Sequence, residues 1–151
     1  MEDTILYTLD TIKAYQKPLS VVLRRRVTGS NNRPTYQLLQ PLAFELSNGD
    51  VILIPAGFEW DLSSVPRFLW GLLPPDGDFE IASLIHDFLY INNLELSYSR
   101  KFADQEMLLW SKAVSGTMNK ISLRNFDNQV RYIAVRCFGW IVWQKLSWKI
   151  W

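Results

Sequence analysis

The sequence has few of the residues that most often bind metals or cross-link a fold. Its 151 residues include one cysteine, Cys137, and one histidine, His86. A single cysteine excludes an internal disulfide framework and a zinc site built from cysteines, and a single histidine excludes a multi-histidine metal centre. Any metal-assisted chemistry must therefore use at most one imidazole and one thiol.

The chain also lacks an excess of either charge and a long apolar run. Sixteen basic residues against 15 acidic ones give a net charge of +1, which argues against a protein that coats nucleic acid, so no nucleic-acid partner is expected. The most apolar stretch, residues 133–143, is about half the length of a membrane span, and Arg136 interrupts it. No apolar run follows the acidic N-terminus, so no secretory signal and no transmembrane span are predicted.

The length and composition are those of one compact domain. Apolar residues make up 48% of the chain and charged residues 21%, close to the globular average, and 151 residues fit a single domain. Residues 1–61 have sequence patterns typical of strands, and residues 62–151 have patterns typical of helices. We predict an α+β fold, in which a small N-terminal antiparallel sheet packs with three C-terminal helices.

Apolar and β-branched segments predict the strands of the first half. They lie at 20–23, 36–40, 42–46 and 51–55, and the first runs into Arg24, Arg25 and Arg26, which we interpret as a solvated strand end. Residues 47–50 contain Asn48-Gly49, which predicts a hairpin turn because Asn-Gly tolerates positive φ. Turn-forming residues also cluster at 29–34.

Apolar residues at helical spacing predict three helices in the second half. They run from Asp78 to about Ile91, from Ser99 to about Val114, and from Leu123 to about Leu146, with Asp78 and Ser99 as N-caps. The third carries an apolar stripe over more than six turns. The members of that stripe are Leu123, Phe126, Val130, Ile133, Ala134, Cys137, Phe138, Ile141, Val142 and Leu146.

The candidate chemistry centres on the adjacent His86 and Asp87 of the first helix. Tyr90 lies one turn further on, and Asp104 lies on the second helix, where it approaches His86 if the two helices pair. A carboxylate that holds one imidazole nitrogen leaves the other as a base. The alternative is a hydrogen-bonded structural pair. Because a semi-buried imidazole needs a partner, we predict that Asp104 or Asp61 lies within hydrogen-bond reach of His86.

A loop rich in side-chain oxygens, residues 57–66, follows the last predicted strand. Asp61, Ser63 and Ser64 are its candidate functional residues, since functional groups often occupy loops beside rigid elements. Asp61 and Ser63 alternatively cap a turn or short helix around 65–73.

Several short blocks occur in order between about Gly57 and Leu109. They are Gly57-Phe58, Asp61, Ser64-Val65-Pro66, Trp70, Leu73-Pro74-Pro75, Ala82, His86-Asp87, Tyr90, Ser99-Arg100 and Ala103-Asp104. Together these blocks resemble a phage and prophage family called domain of unknown function 1353. The resemblance implies a phage origin and no particular reaction.

A second, local resemblance is to the phospholipase A-two superfamily, above all its disulfide-free parvoviral members. These have a His-Asp-x-x-Tyr helix and a second helix that carries an orienting aspartate. The resemblance implies that His86 deprotonates a water that attacks an ester, that Asp104 and Tyr90 fix the histidine, and that Asp87 binds calcium with loop oxygens such as those of Asp61. The Gly-rich calcium loop of those enzymes has no counterpart here, and Trp60 to Ser64 is the candidate substitute.

Tryptophans crowd the C-terminal region. Trp140 is predicted to pack in the core, whereas Trp143, Trp148 and Trp151 are candidate partner-binding residues because tryptophan is enriched at interfaces.

The favoured function is a phage virion component, in the tail or elsewhere on the particle, that docks on other virion proteins through this end. The alternatives are a small His-Asp hydrolase, which acts on a lipid or another ester with or without a divalent metal such as calcium, and an accessory protein that binds a host component. The expected location is the phage particle or the host cytoplasm.

Overall fold

The protein forms two compact units, Met1–Asp61 and Leu62–Trp151. The structure, a computed structural model, describes residues 4–12, 24–28, 34–60, 80–115 and 123–147. The boundary between the two units falls where the sequence pattern changes from strand-like to helical. The α+β class is confirmed, with small sheets in the N-terminal half and three helices of more than ten residues in the C-terminal half. That these units form a single domain stays a prediction.

The described part of the first unit contains two three-stranded sheets. In one the order is β1-β4-β5 and in the other β2-β3-β6. The β1–β4 pair is parallel, whereas β2–β3, β3–β6 and β4–β5 are antiparallel. The strands are β1 (Leu6–Tyr7), β2 (Arg24–Thr28), β3 (Pro34–Leu38), β4 (Leu42–Glu45), β5 (Val51–Ile54) and β6 (Glu59–Trp60).

The predicted hairpin between β4 and β5 is confirmed. Gly49 has a φ of 86°, and the Leu46 amide donates to the Asp50 carbonyl at 2.8 Å. The Asn48 carboxamide oxygen accepts from the Asp50 amide at 3.1 Å, a side-chain mimic of a backbone turn. Alternation then buries Ile52 and Ile54 on one face of β5, as expected of a strand with one buried face.

Two strands were not predicted, because each has only two residues and shows no alternation. The buried Tyr7 of β1 packs its ring 5.6 Å from that of Phe44 on β4. Trp60 of β6 pairs with Tyr36 on β3, and their rings lie 5.8 Å apart, although this segment was interpreted as part of a loop. The predicted strand at 20–23 lies outside the described residues.

The described part of the second unit is helical, and the bounds of its three long helices match the prediction. The described helices are α1 (Glu80–Ile91), α2 (Asn93–Leu96), α3 (Arg100–Ser115) and α4 (Leu123–Ser147). Ser99 caps α3, because its hydroxyl accepts from the Phe102 amide at 3.1 Å. Asp78 lies outside the described residues. Helix α3 packs against both α1 and α4, and α1 also contacts α4.

The apolar stripe of α4 coincides only in part with its buried face, since Ala134 is buried and Val130 is half-buried. Phe126 is 66% exposed and Ile133, Cys137 and Phe138 are exposed too, while the buried positions include Asn128, Arg131, Ala134, Val135 and Gly139. Trp140, predicted to be core, is 50% exposed. The cause is a polar contact: Arg136 reaches a buried carboxylate on α3, and small residues on the same side permit a close approach. Leu123, Ile141, Val142 and Leu146 have side chains outside the described part of the structure.

None of the helices within the described ranges is long and apolar enough to cross a membrane.

Candidate functional site

Helix α1 places His86 and Tyr90 on one face of the second unit. They are four residues apart, the spacing of neighbours on a helix surface, and their ring centroids lie 4.1 Å apart. His86 is 1% exposed, in a stretch whose other buried members are mostly apolar. An imidazole in such a position needs polar partners, because an unpaired buried polar group is costly.

Helix α3 supplies that partner through Asp104, which is fully buried. Its Oδ1 lies 3.0 Å from Nε2 of His86 and accepts a hydrogen bond from the Tyr90 hydroxyl at 2.5 Å. The prediction that Asp104 or Asp61 lies within hydrogen-bond reach of His86 is thus confirmed for Asp104. Asp61 lies outside the described residues. The segment between α1 and α3, which includes α2, therefore joins two helices that build one polar cluster.

Helix α4 completes the cluster with Arg136, a residue that the sequence did not single out as functional. Its Nη1 donates to Oδ2 of Asp104 at 2.8 Å. Arg100, one turn before Asp104 on α3, lies 3.7 Å from the same oxygen and donates to the main-chain carbonyl of Arg136 at 3.2 Å. The only signal for this role was a charge that interrupts the most apolar run of the chain.

These donors keep Asp104 ionised. Burial by itself raises the pKa of this carboxyl, but hydrogen bonds from His86, Tyr90 and Arg136 outweigh burial and hold the pKa below its ordinary value. Burial and the bond to Asp104 both raise the pKa of Tyr90, so the phenol stays protonated and donates. An ionised Asp104 can only accept hydrogen bonds, so Nε2 of His86 carries the proton.

The other ring nitrogen of His86 faces Asp87. Nδ1 lies 3.6 Å from Oδ1 of Asp87, beyond direct hydrogen-bonding distance, and the Asp87 side chain is 13% exposed. Burial by itself lowers the pKa of His86, but Asp104 and Asp87 more than offset it and raise the pKa above its ordinary value. In the neutral imidazole Nδ1 is then the basic atom, next to a carboxylate that solvent reaches.

Trp143, predicted as a partner-binding residue, packs beside this cluster. Its ring meets that of Tyr90 edge-on, with centroids 4.8 Å apart, and it is half-buried. The prediction that it binds a partner is not tested by this contact. Trp148 and Trp151 lie outside the described residues.

The predicted calcium site stays a prediction. Among residues 4–12, 24–28, 34–60, 80–115 and 123–147, no group of three or more histidine, cysteine or acidic side chains is arranged to hold a metal ion. Asp87 is the one predicted ligand within those ranges. The loop candidates Asp61, Ser63 and Ser64 are outside them.

Gly139 on α4 lets the helix approach Tyr90. A Cβ atom at this position would lie 2.8 Å from the Tyr90 hydroxyl, closer than real Cβ contacts, so the phenol would have to shift away from Asp104. We expect Gly139→Ala to destabilise the protein by about 1 kcal/mol, because a hydrogen bond to a charged group is worth about 1.5–3 kcal/mol and better helix propensity returns about 1 kcal/mol.

A double-mutant cycle with Tyr90→Phe checks this expectation. Without the hydroxyl there is no clash, so Gly139→Ala in that background should leave the free energy of unfolding unchanged or raise it. Equal destabilisation in both backgrounds would show that the hydroxyl does not set the need for glycine.

The fold and this cluster define an α+β protein with a buried His–Asp pair on two helices and an arginine from a third. The family model described as "Protein of unknown function (DUF1353)" matches residues 36–135, and the chain belongs to this family. The matched region includes His86, Asp87, Tyr90 and Asp104 and ends one residue before Arg136. No curated protein and no solved structure matches the chain.

Proposed function

We propose that the protein is a hydrolase in which His86 acts as a general base and Asp104 orients it. The observation that carries the proposal is the 3.0 Å contact between Nε2 of His86 and Oδ1 of Asp104, made inside the protein by a carboxylate that three side chains keep ionised. A carboxylate in this position fixes the tautomer and stabilises the imidazolium that forms during catalysis.

The proposed reaction is attack of water on an ester carbonyl. Nδ1 of His86 takes a proton from the water as its oxygen bonds to the carbonyl carbon. The ester C–O bond then breaks, and the same proton passes to the departing alcohol oxygen. His86 returns to its neutral form, so that ester and water yield acid and alcohol with no further reactant.

Asp87 is the proposed entry point for the water. Its carboxylate is 3.6 Å from Nδ1, so one water molecule could hydrogen-bond to both atoms. An electrostatic partner for the developing oxyanion is also needed. A bound calcium ion would meet this need. Its proposed ligands are Asp87 and oxygens of Asp61, Ser63 and Ser64, since calcium prefers hard oxygen ligands.

The test is turnover by the purified full chain on short-chain chromogenic esters and on phospholipid vesicles, each with added calcium and with a chelator. Product release above the background rate is not sufficient by itself. The activity must persist in the control variant Lys101→Gln and disappear in His86→Asn. Loss with chelator supports the calcium set, and retention with chelator rejects it. No turnover on any ester would contradict the ester-hydrolase proposal.

The second proposal is a virion component that docks on other phage proteins. It is supported by the apolar side chains that α4 exposes, among them Phe126, Ile133 and Trp140, because contiguous exposed apolar surface often marks an interaction site. Mass spectrometry of purified particles, produced from a strain that encodes this chain, tests the proposal. Stoichiometric presence in the particles supports it, and absence contradicts it.

A further inference from the structure

The Asp104 carboxylate has two oxygens with different partners. Oδ1 receives the two contacts from α1, those of His86 and Tyr90. Oδ2 receives the contact from α4, that of Arg136 at 2.8 Å. A carboxylate held at one oxygen alone can still turn about its Cβ–Cγ bond, whereas one held at both cannot.

Arg136 is itself held in place. Arg100 donates to its main-chain carbonyl at 3.2 Å, and Gly139, one turn further along α4, allows the helix to lie against the Tyr90 hydroxyl. The planar guanidinium also presents its donors in a rigid fork, so its hydrogen bond to a carboxylate oxygen has a defined direction. Helix α4 thus contacts the cluster through a side chain, a backbone carbonyl and a glycine.

We propose that Arg136 is a positioning residue of the His–Asp dyad, which from α4 holds Oδ2 of Asp104 so that Oδ1 stays directed at His86. This inference rests on the proposed hydrolase function, because positioning matters for a reaction only where His86 acts as the base. Arg136 contacts Asp104 and no reacting atom, and its effect passes through that carboxylate. Arg100, at 3.7 Å from Oδ2, is too far for the same direct hold.

The first test is spectroscopic and needs no substrate. The chain has one histidine, so a proton NMR signal from an imidazole N–H bonded to a buried carboxylate, downfield of the amides, belongs to His86. We expect Arg136→Gln to weaken or abolish this signal, Arg136→Lys to retain part of it, and the exposed-charge control Lys101→Gln to leave it unchanged. A signal that is as strong in Arg136→Gln as in the unmodified chain would overturn the proposal.

The second test is kinetic, on whichever ester the unmodified chain hydrolyses. A misplaced base lowers kcat, so we expect Arg136→Gln to lower kcat by about tenfold to a hundredfold with KM unchanged, and Arg136→Lys to recover part of the loss. A rise in KM with kcat unchanged would show that Arg136 binds substrate, and would overturn the positioning role. If Arg136→Gln does not fold, the Arg136→Lys variant provides the test. The proposal is overturned if this variant has the same kcat and the same His86 N–H signal as the unmodified chain.

The two proposals fail separately. If the unmodified chain hydrolyses no ester but the His86 signal depends on Arg136, the contact is structural and the hydrolase is rejected. If the chain hydrolyses esters and neither signal nor kcat depends on Arg136, the hydrolase stands and the positioning role is rejected.

Discussion

Replacement of Asp104 by asparagine is expected to lower the free energy of unfolding by about 3–5 kcal/mol, the cost of breaking a buried ion pair at one partner. The carboxylate accepts from His86, Tyr90 and Arg136 and is fully buried. An asparagine of nearly the same shape has no charge and turns an amide NH₂ toward groups that are themselves donors. The amide oxygen can accept on one side only, so the donors on the other side lose their acceptor in a place where lost hydrogen bonds are costly.

Chemical denaturation followed by the far-ultraviolet helical signal measures this effect, because that signal reports the helical unit. Asp87→Asn is the matched control. It removes the other carboxylate beside the same imidazole, but one that lies 3.6 Å from the ring and is reached by solvent, so its loss should cost clearly less than the loss of Asp104. Similar losses for the two variants would show that the Asp104 cluster does not stabilise the fold as described.

The second large effect concerns activity. We expect His86→Asn to lower the hydrolysis rate by about a hundredfold to ten-thousandfold, the usual contribution of a general base. Asparagine still offers Asp104 a donor, which limits the structural damage, but it has no basic nitrogen in place of Nδ1. The rate is measured under the ester conditions that give turnover with the unmodified chain.

Tyr90→Phe separates loss of the base from loss of the network. It removes one donor to Asp104 and leaves His86 in place, so its rate should fall by about tenfold, as expected from the loss of one hydrogen bond to a charged group. If His86→Asn and Tyr90→Phe had equal activity, His86 would not be the base.

The central pair of the site could be predicted from the sequence because its signals are local. His86 and Tyr90 share a helix face at a spacing of four residues. Ser99 marks the start of α3, which fixes the position of Asp104 on that helix, opposite His86 and Tyr90. An imidazole among apolar neighbours also requires a polar partner, and few candidates lie nearby. The Asn48-Gly49 hairpin could be predicted for a similar reason, since the turn residues themselves determine the backbone.

The contribution of α4 could not be predicted, because it depends on the rotation of the helix. The periodic apolar stripe predicted one buried face, but Phe126, Ile133 and Phe138 of that stripe are exposed. Its member Ala134 is buried together with Val135 and Gly139, which are outside the stripe. A contact between Arg136 and a buried anion, together with close approach at glycine, decides the rotation, and neither is visible in hydrophobic spacing. Strands β1 and β6 could not be predicted for a simpler reason, since a strand of two residues shows no alternation.

The most direct measurement of the central claim is the tautomer of His86, read from the nitrogen-15 chemical shifts of its side chain in the full chain at a pH where the ring is neutral. An ionised Asp104 at Nε2 predicts that Nε2 carries the proton and that Nδ1 has the shift of an unprotonated, basic nitrogen. The Asp104→Asn variant, if it folds, should lose this preference. A proton on Nδ1 in the unmodified chain would contradict the account, because the atom assigned as the base could then take no proton from water.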